Sequence, residues 1–275
     1  MIDSHHHLWN YSAEEYPWIP PGTPLAQNQL LTELEAATSA AGVDATVVVQ
    51  ARQSLEESDW LLSLAEQSDL IVGVVGWVPL VDENVSEPLS RLAAHPKFKA
   101  VRHVLQDEPD CYFLHDDFHR GLSLLPDLDL RYDLLLFQRQ LPVALQLVDR
   151  QPDMGIVIDH IAKPIIRKGK IDPDWKAGMA ELAKRDHILG VKISGMVTEV
   201  ADAEIDVATQ RAYFEETLAL FSSDRVLFGT DWPVCLLRIN SYQIWADMVR
   251  GFTHDLSASE SHAILHDNAV RIYGL

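Results

Sequence analysis

Short runs of β-branched and other apolar residues alternate along the chain with longer amphipathic runs. Eight of the short runs are predicted to be strands. Several are apolar at nearly every position, as is typical of parallel strands buried on both faces. The predicted strands cover residues 1–3 leading into Ser4, 44–50, 71–78, 100–105, 131–136, 155–160, 188–194 and 225–230.

The segments between these strands carry small and apolar residues at helical spacing. The predicted helices cover residues 29–41, 55–67, 83–94, 140–150, 174–184, 210–221, 241–253 and 258–270. Ser54 with Glu57, and Ser257 with Glu260, have the spacing of capping boxes, in which each side chain bonds the other residue's backbone N–H. Both pairs therefore predict a helix start.

This alternation predicts an α/β fold, a TIM-type (β/α)8 barrel formed by one domain over residues 1–275. The alternative is an open doubly wound sheet. The chain lacks the G-x-G-x-x-G and P-loop motifs that often accompany such sheets, which favours the barrel. Residues 11–29, rich in proline and aromatic residues, then form the loop after the first strand, on the active-site face.

Composition and charge narrow the class of protein. The chain has 275 residues, 47% of them hydrophobic, and a formal net charge of −19, so neither nucleic acid nor an anionic membrane surface is expected as a partner. The longest apolar run, residues 71–81, is too short to span a bilayer, and no secretory signal stands at the start. Cys111 and Cys235 are expected to be reduced thiols. We therefore expect a cytoplasmic protein.

The polar residues of interest are those that end strands, because functional groups in such barrels lie at the carboxyl ends. His5 and His7 end the first strand; residues two apart on a strand point the same way, so both imidazoles can converge while His6 points elsewhere. Two imidazoles can bind a divalent metal or polarise an oxygen atom. The alternative is a solvent-exposed histidine run or the remnant of a tag.

Other strand ends carry further candidates. His160 follows the sixth strand and Asp231 the eighth, where a carboxylate can take a proton from water; a structural histidine and a turn aspartate are the alternatives. Arg102, at the end of the fourth strand, can hold a carboxylate or a hydroxyl pair, or form a structural ion pair. Asp133 and Lys192 fit barrel-lining structure and chemistry equally well.

The combination of motifs is more specific than any single residue. The chain contains, in order, D-S-H-H-H-L-W from residue 3, V-R-H-V-L-Q from 101, D-H-I-A-K-P from 159, K-I-S-G from 192 and F-G-T-D-W-P from 228. This set resembles the amidohydrolase superfamily, and within it the branch that contains sugar lactonases. The resemblance extends from Ile2 to about Tyr273.

The resemblance implies a site and its chemistry. His5, His7, His160 and Asp231 match the metal ligands, and Asp231 and His160 match the catalytic pair, with Asp231 activating water. The fourth strand offers Arg102 in place of a bridging ligand, so we expect no divalent ion or one, with zinc suited to these ligands, and no organic cofactor.

The implied activity is hydrolysis of a sugar-acid lactone such as L-fuconolactone or L-rhamnonolactone, the small-molecule partner of the protein. The predicted substrate contacts are Arg102, His103, Lys163, Trp18 and Trp77. Rival hypotheses are a related metal-dependent amidohydrolase or aromatic-acid decarboxylase, and a non-catalytic sugar-acid binder. A homo-oligomer is compatible with the sequence.

Overall fold

Eight parallel strands form one sheet in which each strand pairs with its neighbours in sequence order. The computed structural model describes residues 1–275. The strands are β1 (Ile2–His6), β2 (Ala45–Val49), β3 (Ile71–Gly76), β4 (Phe98–His103), β5 (Arg131–Leu134), β6 (Ile156–Ile158), β7 (Ile188–Lys192) and β8 (Val226–Leu227). Each strand overlaps its predicted run, with ends that differ by up to three residues, and the (β/α)8 prediction is confirmed.

The residues after β8 close the barrel against β1. The backbone N–H of Ser4 donates to the carbonyl of Phe228 at 3.0 Å, and that of His7 donates to the carbonyl of Trp232 at 2.7 Å. Beyond the short β8, the chain therefore continues to pair with β1 as far as Trp232. This contact brings Asp231 next to the strand that carries the paired histidines.

Helices follow each strand on the outside of the barrel. They are α1 (Leu31–Ala41), α2 (Leu55–Gln67), α3 (Ser86–Ala93), α4 (Asp116–Leu122), α5 (Leu141–Asp149), α6 (Pro173–Ala183), α7 (Val207–Phe221), α8 (Tyr242–Thr253), α9 (Ala258–His262) and α10 (Asn268–Tyr273). The sequence missed α4, which is short. The predicted last helix is divided by a π-helical turn at Ala263–Asp267, and its final helical segment extends three residues beyond the predicted end.

One of the two predicted capping boxes is absent. The Ser54 hydroxyl accepts from the Glu57 backbone N–H as predicted, but the Glu57 carboxylate does not return to Ser54. It accepts instead from the backbone N–H groups of Ala51 and Arg52, each at 2.9 Å, because it is buried under the loop after β1. The box at Ser257 is confirmed.

The two ends of the barrel differ in what covers them. Ala269, Ile272 and Tyr273 of α10 join an apolar cluster with barrel-lining residues. The side chain of Arg131, the first residue of β5, donates to the carbonyl of Ile272 at 2.9 Å, which places α10 over the amino ends of the strands. The polar residues at the carboxyl ends therefore face the open side. None of the helices has the length and apolar character needed to cross a membrane.

Candidate active site

The paired histidines at the end of β1 face the same point. The Nε2 atoms of His5 and His7 lie 3.3 Å apart, and both residues are buried. The intervening His6 points away, toward Thr46 of β2, whose hydroxyl lies 3.0 Å from His6 Nε2. The alternation along an extended strand thus separates the three consecutive imidazoles into a convergent pair and a structural third.

Asp231 completes the group from the segment after β8, which pairs with β1 where the barrel closes. Its backbone N–H donates to the carbonyl of His5 at 2.8 Å, and its φ of 58° turns the chain just after this contact. Its Oδ1 atom lies 3.3 Å from His7 Nε2, 3.9 Å from His5 Nε2 and 3.9 Å from His160 Nε2. The structure therefore brings all four predicted ligands to one place.

His160 stands on an unusual backbone segment after β6. His160, Ile161, Ala162 and Lys163 have φ values of 52°, 46°, 59° and 45°, a left-handed turn made entirely of non-glycine residues. Such a conformation costs roughly 1–2 kcal/mol per residue. The Trp175 indole helps to hold it, donating to the carbonyl of Ile161 at 2.6 Å. Strained backbone of this kind is concentrated at functional sites.

Ser194 and Gly195, which follow β7, orient the His160 ring. The hydroxyl of Ser194 lies 2.9 Å from His160 Nδ1, which leaves Nε2 facing Asp231. Gly195 packs against the same ring, and a Cβ atom built on it would lie 2.6 Å from His160 Nδ1. The absence of a side chain at position 195 therefore gives the imidazole its space.

The donor set fits a divalent ion. Zinc bonds of about 2.0–2.1 Å in a tetrahedron hold their ligand atoms about 3.3–3.4 Å apart. The His5–His7 and His7–Asp231 contacts, both 3.3 Å, match this separation. His7 Nδ1 lies 2.8 Å from the carbonyl of Val49 and can only donate to it, so the lone pair of neutral His7 is on Nε2, toward Asp231.

The surroundings of His5, His160 and Asp231 shift their pKa values toward the protonation states that metal ligation would need. Burial lowers the pKa of His160 to about 4 and that of His5 well below its ordinary value. Burial alone would raise the pKa of Asp231, but the nearby His160 and His7 outweigh it and lower that pKa. At neutral pH, His5 and His160 are therefore neutral and the carboxylate is ionised.

A layer of buried charged residues lies beneath the histidines, inside the barrel. The Lys192 ammonium forms a short contact with Asp133 and lies 3.0 Å from Asp159 Oδ1. Arg102 binds the other oxygen of Asp159 at 3.2 Å. The hydroxyl of Tyr273, on α10, donates to Asp133 at 2.9 Å. The two cations and two carboxylates balance one another in charge, as buried ions must.

The predicted substrate residues occupy different surroundings. Arg102 points into the barrel, and His103, the next residue on β4, points to the other side. There the Trp77 indole donates to His103 Nδ1 at 3.3 Å, and Glu108 lies 3.0 Å from His103 Nε2. Both nitrogens of His103 thus have protein partners.

The remaining two predicted substrate residues lie on loops. Lys163 ends the left-handed turn and lies 3.7 Å from Glu199, with its ammonium above the ring of Phe137. Trp18 is 43% exposed and packs edge-on against Trp9 in the loop after β1. None of these five contacts with substrate is tested by the geometry, and they stay predictions.

Some neighbours of the predicted ligands were missed from the sequence. Asp159 and Ser194 lie inside the D-H-I-A-K-P and K-I-S-G motifs, next to His160 and before Gly195, but neither residue by itself indicates a role. Tyr273 offered no signal, because it lies 140 positions from Asp133, the carboxylate that it binds. Glu199, on the loop after β7, likewise had no motif.

Comparison with known proteins agrees with this geometry. The family model described as Amidohydrolase matches residues 2–275. The chain belongs to the amidohydrolase family. It is 35% identical to an L-fucono-1,5-lactonase of Burkholderia multivorans, over 100% of this chain and 96% of that protein. It is also 33% identical to an L-fucono-1,5-lactonase of Burkholderia ambifaria, over 89% of this chain and 84% of that protein.

A solved amidohydrolase structure shares the fold in detail. The crystal structure of an amidohydrolase from Burkholderia multivorans with bound zinc superposes with a TM-score of 0.94 and 35% identity, covering 100% of this chain and 99% of that one. The resemblance to the amidohydrolases read from the sequence motifs is confirmed. As a member of this family, the chain is a hydrolase.

Proposed function

We propose that this amidohydrolase opens a sugar-acid lactone, with L-fucono-1,5-lactone as the first candidate substrate. The observation that carries the proposal is the convergence of His5, His7, His160 and Asp231 in a chain similar over its full length to L-fucono-1,5-lactonases. A lactone is an internal ester, and its hydrolysis needs an activated water and a group that stabilises the developing oxyanion.

Asp231 is the proposed base. Its three imidazole contacts all use Oδ1, which leaves Oδ2 to accept a proton from water. Because its pKa is lowered by His160 and His7 despite its burial, the carboxylate is ionised and ready to accept that proton. As the proton passes to Asp231, the water oxygen attacks the lactone carbonyl carbon, and the carbonyl π electrons move onto the oxygen.

Collapse of the tetrahedral intermediate completes the reaction. The carbonyl re-forms, the bond from the carbonyl carbon to the ring oxygen breaks, and the ring oxygen takes the proton from Asp231. The product is the open hydroxy acid, and Asp231 returns to its ionised state. In the metal-free site, the proposed role of His160, which Ser194 orients through Nδ1, is to stabilise the negative charge on the former carbonyl oxygen; His160 gives up that role when its Nε2 ligates an ion.

We also propose one divalent ion, zinc by preference, bound by His5, His7, His160 and Asp231. When bound there, the ion supplies Lewis acidity to the substrate carbonyl. The donor separations and the zinc in the related crystal structure support this assignment. The proposed roles of Arg102, His103, Lys163, Trp18 and Trp77 in holding the sugar belong to the same proposal.

Steady-state hydrolysis of a panel of aldono-1,4- and 1,5-lactones, corrected for spontaneous opening, tests this function. General-base contributions are about 10²–10⁴-fold, so kcat should fall by that order in Asp231→Asn. Thermal melting checks that the variant folds. A folded Asp231→Asn protein with wild-type kcat would exclude the mechanism, and failure of wild type on every lactone would exclude the substrate class.

A further inference from the structure

The Nδ1 atom of His5 lies between two buried groups of opposite hydrogen-bonding character. Lys192 Nζ and Asp159 Oδ1 are each 3.2 Å from it, and all three side chains are fully buried. An ammonium group only donates hydrogen bonds and an ionised carboxylate only accepts them. Whichever of the two His5 Nδ1 pairs with therefore decides which ring nitrogen carries the proton.

In one self-consistent arrangement, a chain of hydrogen bonds runs from Lys192 through His5 and His7 to the carbonyl of Val49 on β2. His7 Nδ1 donates to the carbonyl of Val49 at 2.8 Å, so Nε2 of neutral His7 is an acceptor. The 3.3 Å contact between the Nε2 atoms is then a hydrogen bond that His5 donates to His7. With its proton on Nε2, His5 accepts from Lys192 at Nδ1. In this state His5 has no lone pair on Nε2 with which to bind a metal.

A second arrangement uses Asp159. With the proton on Nδ1, His5 donates to Asp159 Oδ1, an atom that is buried and accepts no well-aligned hydrogen bond, although Lys192 Nζ lies 3.0 Å away. His5 Nε2 then presents a lone pair toward His7 and Asp231. Arg102 Nη1, 3.4 Å from Nε2, can donate to it only in this arrangement. A carboxylate accepting the second N–H is the usual support of a ligating histidine.

We propose that Lys192 and Asp159 form a tautomer switch for His5. The metal-free pocket holds the Nε2–H tautomer through Lys192, and metal binding selects the Nδ1–H tautomer through Asp159. The imidazole stays neutral: one N–H bond breaks at Nε2 and one forms at Nδ1, with no net proton gained or lost. The inference rests on the metal part of the proposed function and assigns both residues as positioning residues.

The proposal predicts opposite changes in zinc affinity for changes at Asp159 and at Lys192. Replacing the Asp159 carboxylate with an amide leaves only a weaker, neutral acceptor for the N–H of the ligating tautomer, so zinc should bind more weakly. Loss of the Lys192 ammonium removes the donor that holds the other tautomer, so zinc should bind more tightly. Lys192 is paired with Asp133. The prediction for Lys192 is therefore tested with Lys192→Met and Asp133→Leu together, which leaves no unpaired buried charge at that pair.

The tautomer itself can be read without any change in the pocket. Long-range ¹H–¹⁵N spectra of protein labelled in its histidine rings distinguish Nδ1–H from Nε2–H, and comparison with His5→Gln assigns the His5 signals. All samples carry His266→Asn, which disrupts an exposed group of His262, His266 and Asp267 that could compete for zinc. We expect Nε2–H before zinc and Nδ1–H after it. A zinc-free protein already in the Nδ1–H form would overturn the proposal.

Zinc affinity, measured by competition with a chromophoric chelator, supplies the second readout. Loss of an outer partner of this kind typically weakens metal binding about 10–100-fold, which is expected for Asp159→Asn. The Lys192→Met, Asp133→Leu protein should bind more tightly than wild type. Glu57→Gln is the matched control. It alters another buried carboxylate, the one that binds the backbone of Ala51 and Arg52, and the variant should bind zinc as wild type does.

Wild-type zinc affinity in Asp159→Asn, or weaker binding in the double variant once folding is confirmed by thermal melting, would count against the switch. These outcomes are distinct from failure of the proposed function. A protein that changes tautomer on zinc binding but hydrolyses no lactone would retain the switch and lose the lactonase assignment.

Discussion

Two groups of two histidines and one aspartate that share no residue, one at the barrel mouth and one on the surface, differ almost entirely in their surroundings. His5, His7 and Asp231 are buried at the barrel mouth, whereas the group of His262, His266 and Asp267 lies on the surface around the π-helical turn. In both groups the potential ligand atoms lie within 4.8 Å of one another. Convergence of ligand atoms therefore does not distinguish them.

What distinguishes the two groups is the support behind each ring. At the mouth, His7 is oriented by the carbonyl of Val49, and His5 by Lys192 and Asp159. On the surface, Asp267 Oδ1 lies 3.2 Å from His262 Nε2 and 2.8 Å from His266 Nδ1, so the only polar partner of either ring is within the group. Oriented, desolvated ligands make a functional site, and a surface cluster lacks that support.

Replacing one histidine in each group gives the largest contrast. His7→Asn removes the ring between His5 and Asp231, and kcat for the accepted lactone should fall by about 10²-fold because Asp231 loses a contact that positions it. His266→Asn, the matched change at the surface, should leave kcat unaltered. Equal loss of activity in both variants, measured by steady-state kinetics on folded protein, would show that the buried group has no special role.

A methyl group placed against His160 tests the support of the buried group. Gly195 and Gly169 have φ values of +67° and +69°, so alanine strains the backbone equally at both positions. Only at Gly195 would the new Cβ meet the His160 ring, whereas nothing lies within 4 Å at Gly169. Gly195→Ala should lower kcat about 10²-fold through misplacement of His160. Gly169→Ala should lose only stability, about 1–3 kcal/mol by thermal melting; unchanged kcat in Gly195→Ala would refute the steric argument.

The burial of His6 should also make the free energy of unfolding depend on pH. Burial, followed by the charge of His7, lowers the pKa of His6 to about 3 from an ordinary value of 6.5. Its contribution to stability is therefore fully present above about pH 6.5 and is lost progressively as the pH falls toward 3. Each such group contributes a slope of about 1.4 kcal/mol per pH unit.

Denaturant unfolding between pH 4 and 6.5 should therefore show a shallower pH dependence for His6→Gln than for wild type, by about that slope. His254→Gln is the control, because that ring is 84% exposed in the folded chain. Parallel curves for His6→Gln and wild type would mean that His6 is protonated without penalty in the fold.

The smallest effect is expected at the surface group itself. His262→Asn removes an imidazole whose side chain is 64% exposed, so the free energy of unfolding should change by no more than about 0.5 kcal/mol. Lactone turnover should be unchanged. A loss of several kcal/mol in denaturant unfolding would reveal that this group supports the π-helical turn and is not a passive surface cluster.

Local sequence patterns predicted most of the strands and helices. The helix over 55–67 was predicted to the residue, because its amphipathic spacing and the Ser54 cap are encoded in neighbouring positions. Helix α4 was missed because seven residues give too little periodicity to stand out. The Glu57 carboxylate was misassigned to a capping box, since its choice between Ser54 and the backbone of Ala51 depends on the packing of the loop above it.

The sequence by itself determined the order of the strands and of the longer helices, the convergence of His5 and His7, and the family, because these follow from periodicity and from motifs of adjacent residues. Only the tertiary structure decided that Lys192 and Asp159 meet at one nitrogen of His5, and that Tyr273 binds Asp133 from beneath the barrel. Such contacts join positions far apart in the chain. Their geometry depends on strand register and on the balance of buried charges, which no local pattern records.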